Sequence, residues 1–366
     1  LGKFSVEFIR SCHSIPDSVM LAITTTAGTI LHTGDFKIDY TPIDGKPMDL
    51  GRIAELGNKG ILALMSDSTN SERKGFTMSE KSVGAVFDKL FMNCKKRIVV
   101  ATFASNVHRV QQIVDSAVKY GRKIAVCGRS MINMIENARA LGYINAPEDI
   151  FIDIDLIRNY NDEQLVIITT GSQGETMSAL TRMAAGEHKK VTITPNDLVI
   201  ISANAIPGNE KLVSKVIDDL MKIGAEVVYS ALADVHVSGH ACQEEQKLIL
   251  SLARPQYFIP VHGEYRQLMA HAETAKELGL VDELGGIDKA LDIAVAKAGI
   301  EGYTVVSYPE KQDFLSSLLD TKPTNYVESQ LLKSKLGEYY QQFGLLKNLQ
   351  EQSMIQARIP FELNIK

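Results

Sequence analysis

No run of about 18 apolar residues occurs in this chain of 366 residues, so no membrane-spanning helix is expected. Positive charge is not in excess either: the formal net charge is −5 and the pI is near 6.0. That excludes a global field attracting nucleic acid, and any nucleic-acid site must be a local groove. Cysteine is scarce. The four residues, Cys12, Cys94, Cys127 and Cys242, show no CxxC spacing and lie beside or within apolar runs. They read as reduced, buried thiols of a cytoplasmic protein. The chain opens on Leu1 with neither a charged n-region nor an apolar h-region, so no signal peptide is expected in this stretch. It enters the alternating run FSVEFIR at once, which predicts that an upstream portion is absent. Internal repeats and low-complexity tracts are missing. With 45% hydrophobic and 23% charged residues, the composition is that of a soluble protein with room for two or three domains.

What is present falls into distinct rhythms. Residues 1–75 read as strands separated by turns: FSVEFIR, SVMLAITT, TILHTGD and ILALM. From about 79 to 229 the pattern becomes strand, loop, helix, as in RIVVATFA then SNVHRVQQIVDSAVKYG, which argues for βαβ units and a parallel sheet. Three of these strands feed loops of small or polar residues: FASNVHR (103–109), CGRS (127–130) and TGSQGE (170–175). Helix N-termini behind such loops present free N–H groups suited to phosphate. Residues 230–280 return to the first style. Beyond about 280 come an amphipathic helix (DKALDIAVAKAG), a strand (YTVVSYP), a linker (TKPTN) and a long Lys/Gln/Glu-rich helix.

Polar groups gather where strands end: His13 after the first, Asp35 closing the third, Asp67 after the fourth, and His262 after YFIPV. HVSGH places His236 and His240 four residues apart around Ser238 and Gly239. Each has an ordinary alternative. His13 suits a loop hydrogen bond, Asp35 a turn cap and Asp67 an Asx-turn. Together they form a set in which imidazole and carboxylate groups could hold zinc or manganese, a carboxylate bridging two ions.

CHSIPDS, HTGDFKID, SDSTN, TFASNVHRVQQ, GRSM, TGSQGE, HVSGH and PVHGEYR, in this order, resemble ribonuclease J, a β-CASP family of the metallo-β-lactamase fold. The resemblance covers roughly residues 1–278. It implies an α/β fold in which a partial αββα metallo-β-lactamase sandwich (1–78 and 231–279) is interrupted by a Rossmann-like β-CASP domain (79–230). It implies that His13 and His262 are metal ligands and Asp35 the bridging carboxylate. Asp67 would orient His240, the acid at the scissile phosphate. His236, Ser238 and Gly239 would hold that phosphate. Ser105, His108, Arg129 and the run Ser172, Gln173, Gly174, Glu175 would line a groove for single-stranded RNA with a 5′-monophosphate. The implied cofactor is Zn2+, two per site, with Mn2+ or Mg2+ as alternatives. The implied reaction is hydrolysis of RNA phosphodiesters, 5′→3′ or internally, by a two-metal hydroxide mechanism in a homodimer or tetramer.

Three departures accompany the resemblance. Nothing matches the family's opening HxHxDH motif, so the chain as given is expected to bind metal weakly and to be inert. Cys12 beside His13, and Thr176 where proline usually follows SQGE, are minor. Residues 280–366, from LVDELGGIDKALDIAVAKAG to MIQARIPFELNIK, resemble the C-terminal part of bacterial signal peptide peptidase A, which suggests a chimera. Competing readings are a non-catalytic RNA-binding module, a membrane serine protease fragment argued from the tail, and a metallo-hydrolase of small molecules.

Overall fold

A computed structural model describes residues 2–175, 177–206 and 208–299. Thr176 and the tail elements expected beyond residue 299 lie outside the described residues. The chain divides into two compact units, 1–284 and 285–366.

The first unit contains two sheets. The chain begins with β1 (Ser5–Arg10), β2 (Val19–Thr25) and β3 (Gly28–His32), an antiparallel meander. Helix α1 (Leu50–Lys59) follows, then β4 (Ala63–Asp67), which pairs parallel with β3. The strand-only reading of residues 1–75 missed α1. Its signals were present: Asp49 caps Arg52 N–H at 3.0 Å, and Ile53 and Leu56 point inward at helical spacing.

After β4 the chain leaves this sheet. Helix α2 (Lys81–Phe91) leads to β5 (Arg97–Ala101), α3 (Val107–Lys119), β6 (Lys123–Cys127), α4 (Arg129–Ala140) and the short β7 (Phe151–Ile152). Then come β8 (Leu165–Thr169), α5 (Ala179–Ala184), β9 (Asp197–Ile201), α6 (Glu210–Ile223) and β10 (Glu226–Tyr229). These strands form an all-parallel sheet in the order β10-β9-β5-β8-β6-β7. Helix α5 begins later than the sequence pattern predicts. Ser178 accepts the Thr181 N–H and starts the helix there, while Gln173 is tied elsewhere.

Alternation along the parallel strands serves two covered faces. Val166 and Ile168 pack with Phe87, Ile113 and Met131 of α2, α3 and α4. Ile167 and Val199 pack with Leu180 and Leu220 of α5 and α6. Burial on both sides is why these strands read as continuous β-branched runs.

The chain then returns through α7 (Gln243–Ala253) to β11 (Tyr257–Val261), parallel to β4, and α8 (Tyr265–Glu277). The first sheet thus has the order β1-β2-β3-β4-β11. One face carries Met20, Leu31 and Leu64 against α1 and α7. Residues paired across strands share a face, so register defines the other: Phe8, Leu21, His32, Met65 and Ile259 form one row of it. That row is half open, with Phe8 69% and Ile259 45% exposed. In the second unit, α9 spans Ile287–Ala298.

Candidate metal centre and substrate loop

The chemistry-bearing residues sit where strands of the first sheet end, and the turns between them are locked to one another. The backbone of Cys12, next to His13, accepts the Lys37 N–H at 2.8 Å, which places the β1 loop beside the Asp35 turn. Asp67 is the last residue of β4, and His262 follows the last residue of β11 with φ of 54°. That left-handed backbone is costly for a non-glycine residue and recurs where neighbours over-determine a functional position. Here the neighbour is Ser68, whose N–H donates to the His262 carbonyl at 3.3 Å.

Four of the sequence-predicted residues converge on Asp35 or on one another. His13 Nε2 lies 3.8 Å from one Asp35 carboxylate oxygen, and His262 Nε2 lies 3.5 Å from the other. His240 lies between the two histidines, with ring centroids 5.1 Å from His13 and 5.5 Å from His262. Ligand atoms of His13, Asp35 and His240 fall within 4.8 Å of one another, as do those of Asp67, His240 and His262.

This donor set fits a divalent cation. With bonds of roughly 2.1 Å at tetrahedral angles, two ligands of one ion stand roughly 3.4 Å apart. The two oxygens of Asp35 face different imidazoles. The His13 tautomer agrees. A carbonyl only accepts, so Nδ1 carries the proton it donates to Gly239 O at 2.8 Å, and Nε2 keeps its lone pair toward Asp35. Gly239 must be glycine for this approach, because a Cβ there would meet the His13 ring at 2.6 Å. Burial, with the nearby His240, lowers the His13 pKa.

Asp67 and His240 form a separate pair. His240 Nδ1 donates to Asp67 at 2.7 Å, and Thr69 N–H and O–H donate to the other oxygen at 3.0 and 2.7 Å. Burial opposes the charge on Asp67, yet these donors outweigh it and hold the carboxyl below its usual range. Burial likewise opposes the imidazolium of His240, and Asp67 reverses the balance so that its pKa rises. His240 is left with Nε2 as its reactive atom.

The 236–240 loop is pinned from beneath by a residue that sequence reasoning missed. Asn70 Nδ2 donates to Ser238 Oγ and to His240 O, both at 2.8 Å. Ser238 Oγ also accepts the His240 N–H at 3.1 Å. His236 is half-buried near Phe103, and burial followed by the charges of Arg109, Lys37 and Arg73 pushes its pKa down to about 3. Arg109 is fully buried. It grips both oxygens of Glu80, and its Nη1 donates to Ser202 Oγ at 2.7 Å and Val235 O at 3.1 Å. The end of β9, the start of α2 and the chain before His236 thus meet on one guanidinium. A polar residue inside the apolar face of a helix, as in HRVQQIV, was the available signal for it. Lys37 is the other missed group, buried with Nζ 3.6 Å from Asp39 and donating to Met78 O at 3.2 Å.

The remaining expected residues lie elsewhere. His108 is half-buried and lines a cavity behind His13 together with Lys37 and Glu80. Ser105, Arg129 and Glu175 are exposed. Ser172, Gln173 and Gly174 are buried, and the Gln173 amide is engaged at both ends, donating to Asn204 O at 2.8 Å and accepting Ile206 N–H at 2.7 Å.

A parallel α/β sheet inserted between two strands of a metal-suited sheet defines a class. Residues 95–220 match the ribonuclease J β-CASP domain, and residues 224–285 match the Zn-dependent metallo-hydrolase RNA specificity domain. Among relatives, the chain is 53% identical over 283 residues to ribonuclease J of Helicobacter pylori (strain ATCC 700392 / 26695), covering 77% of this chain and 41% of that one. It is 52% identical over 284 residues to ribonuclease J of Synechocystis sp. (strain ATCC 27184 / PCC 6803 / Kazusa), covering 77% and 44%. Against ribonuclease J2 of Bacillus subtilis (strain 168) it is 46% identical over 275 residues, covering 75% and 49%. The chain therefore belongs to the ribonuclease J family, and that family's metallo-hydrolase character implies a divalent metal. It spans less than half the length of each of these relatives. The resemblance of residues 280–366 to signal peptide peptidase A finds no support among these matches. Among the described residues, no helix is long and apolar enough to cross a membrane.

Proposed function

We propose that this chain carries part of the active site of a metal-dependent ribonuclease that hydrolyses phosphodiesters of single-stranded RNA, 5′→3′ from a monophosphorylated end or internally. The observation that carries the reading is the convergence of His13, Asp35 and His262 beside the Asp67–His240 pair. His13 and His262 would hold zinc, two ions sharing Asp35, with manganese or magnesium as alternatives. When bound, the ions acidify water and offset phosphate charge.

The chain's own residues do the rest. His240, held by Asp67, presents Nε2 to the leaving oxygen as the acid. Ser238, whose oxygen already accepts two hydrogen bonds, has its O–H left to donate to a non-bridging phosphate oxygen. Gly239 lets the loop backbone approach that phosphate, and His236, neutral at physiological pH, offers a hydrogen bond in place of a charge. Ser105, Arg129 and Glu175 would meet the strand, while His108, Ser172, Gln173 and Gly174 shape the wall beneath it. The same proposal places the protein in the cytoplasm as a homodimer or tetramer.

Three donors fall short of two complete coordination shells, so this chain alone is expected to hold metal weakly and to cleave slowly or not at all. The test is RNA affinity with and without Zn2+. Binding of 5′-monophosphorylated RNA should tighten with Zn2+, and Asp35→Asn should remove that increment. Any cleavage should vanish in Asp67→Asn and His240→Ala. Identical RNA binding by wild type and Asp35→Asn in Zn2+ overturns the reading.

A further inference from the structure

Helix α7 carries a polar residue where its own pattern asks for an apolar one. Its inward stripe runs Gln246, Ile249, Leu250, Ala253, the i, i+3, i+4, i+7 spacing of a helix face against a core. Gln246 is 1% exposed. Its Nε2 donates to two backbone carbonyls, those of Asp67 and Ala241, both at 3.2 Å. Carbonyls only accept, so the amide has one orientation, with Nε2 toward both of them and Oε1 away. That Oε1 is buried without a partner. A buried acceptor left unpaired is costly, and an apolar side chain of similar shape avoids the cost. Packing alone does not explain a glutamine here.

The preceding residue shows the contrast. Glu245 is buried as deeply, but both its oxygens are engaged: they accept the N–H groups of Ile38, Thr77 and Cys242 at 2.7, 2.6 and 2.9 Å. Gln246 is engaged through Nε2 alone, and what that nitrogen grips is specific. One carbonyl belongs to Asp67, and the other to Ala241, the residue after His240. The adjoining carbonyl of His240 is held from the other segment, by Asn70 Nδ2 and by Thr77 Oγ1, both at 2.8 Å. A single nitrogen of α7 therefore spans the two backbones whose side chains make the 2.7 Å bond between Asp67 and His240. Such a bond weakens steeply as its distance and angle depart from the optimum, so the spacing of the two backbones governs it.

We infer that Gln246 is a positioning residue for the Asp67–His240 pair. Its amide cross-links the backbones at residues 67 and 241, and so keeps carboxylate and imidazole in hydrogen-bonding register. It works from inside the core, without touching substrate. The inference deepens the proposed function and rests on its reading of His240 as the acid. The cross-link itself needs neither metal nor RNA.

The experiment follows the His240 Nδ1 proton by NMR in the full chain labelled with 15N-histidine, in EDTA. The signal is assigned by its absence in His240→Ala, and its exchange with water is measured. Gln246→Met keeps the volume and removes both donors. Exchange should speed up about five-fold or more, the weight of one hydrogen bond. Melting temperature should hold or rise, because the unpaired Oε1 is removed as well. Ile249→Val loosens the same helix without touching either carbonyl. It should lower the melting temperature and leave the exchange as in wild type. Unchanged exchange in Gln246→Met overturns the inference, and so does equally fast exchange in Ile249→Val, which makes helix stability the cause. RNA cleavage that survives in His240→Ala sinks the acid reading instead, and the exchange measurement is independent of it.

Discussion

The two sheets of the first unit are built from similar residues but differ in what covers them. In the six-stranded parallel sheet, β8 and β9 are buried along their whole length between two layers of helices. In the five-stranded sheet, helices cover one face, while Phe8, Tyr257 and Ile259 on the other are 45–69% exposed. An apolar strand pattern thus marks capacity for burial and not burial itself. The candidate metal ligands gather near the strand ends of the half-covered sheet, and Arg109 ties the fully covered sheet to the chain before His236.

That contrast can be broken at several points. The largest effect is expected from Ile167→Asp, which buries a carboxylate between two helical layers. The parallel sheet should not survive it, and circular dichroism should show loss of cooperative melting. Arg109→Met comes next. It leaves Glu80 buried without its partner and should cost about 3–5 kcal/mol in denaturant titration. The same variant should weaken RNA binding by releasing the chain before His236.

A smaller effect is expected from His271, fully buried beneath β11, where it meets Ser68 Oγ at 3.0 Å and Phe258. Burial pushes its pKa down to about 4 from an unfolded value near 6.5. The unfolded chain therefore takes up the proton first. Stability from this group is complete above pH 6.5, falls as pH drops toward 4, and is flat below, a loss of about 3 kcal/mol. His271→Leu should flatten that part of the pH–stability curve. Smallest of all, Ile259→Ser on the open face should change stability by about 0.5 kcal/mol or less, while lowering the binding of an apolar dye.

The sequence disclosed strands buried on both faces most readily, because β5, β8 and β9 have no polar side to interrupt them. It singled out His13, Asp35, Asp67 and His262 as candidates because each ends a strand or follows one closely, and His240 because HVSGH is a compact motif; the structure brings their side chains near one another. Helix α1 was lost among strands although its cap and spacing were legible. For Asn70, Glu80 and Arg109 the partners were beyond reach for a physical reason, although the place of Arg109 on the apolar face of α3 was a signal that it is buried. Their partners lie 29 to 170 residues away, and only the approach of two sheets brings them together. The burial of Gln173 could not be read either, since SQGE looks like a surface loop until the chain at residues 204–206 closes over it.

The hydrogen bond from His13 to Gly239 has a thermodynamic consequence. The imidazole that faces Asp35 is oriented by the backbone of the loop that would embrace the phosphate. Whatever tightens that loop also stiffens His13, so cation and nucleic acid should each raise affinity for the other by the same factor, as reciprocity of linked equilibria requires.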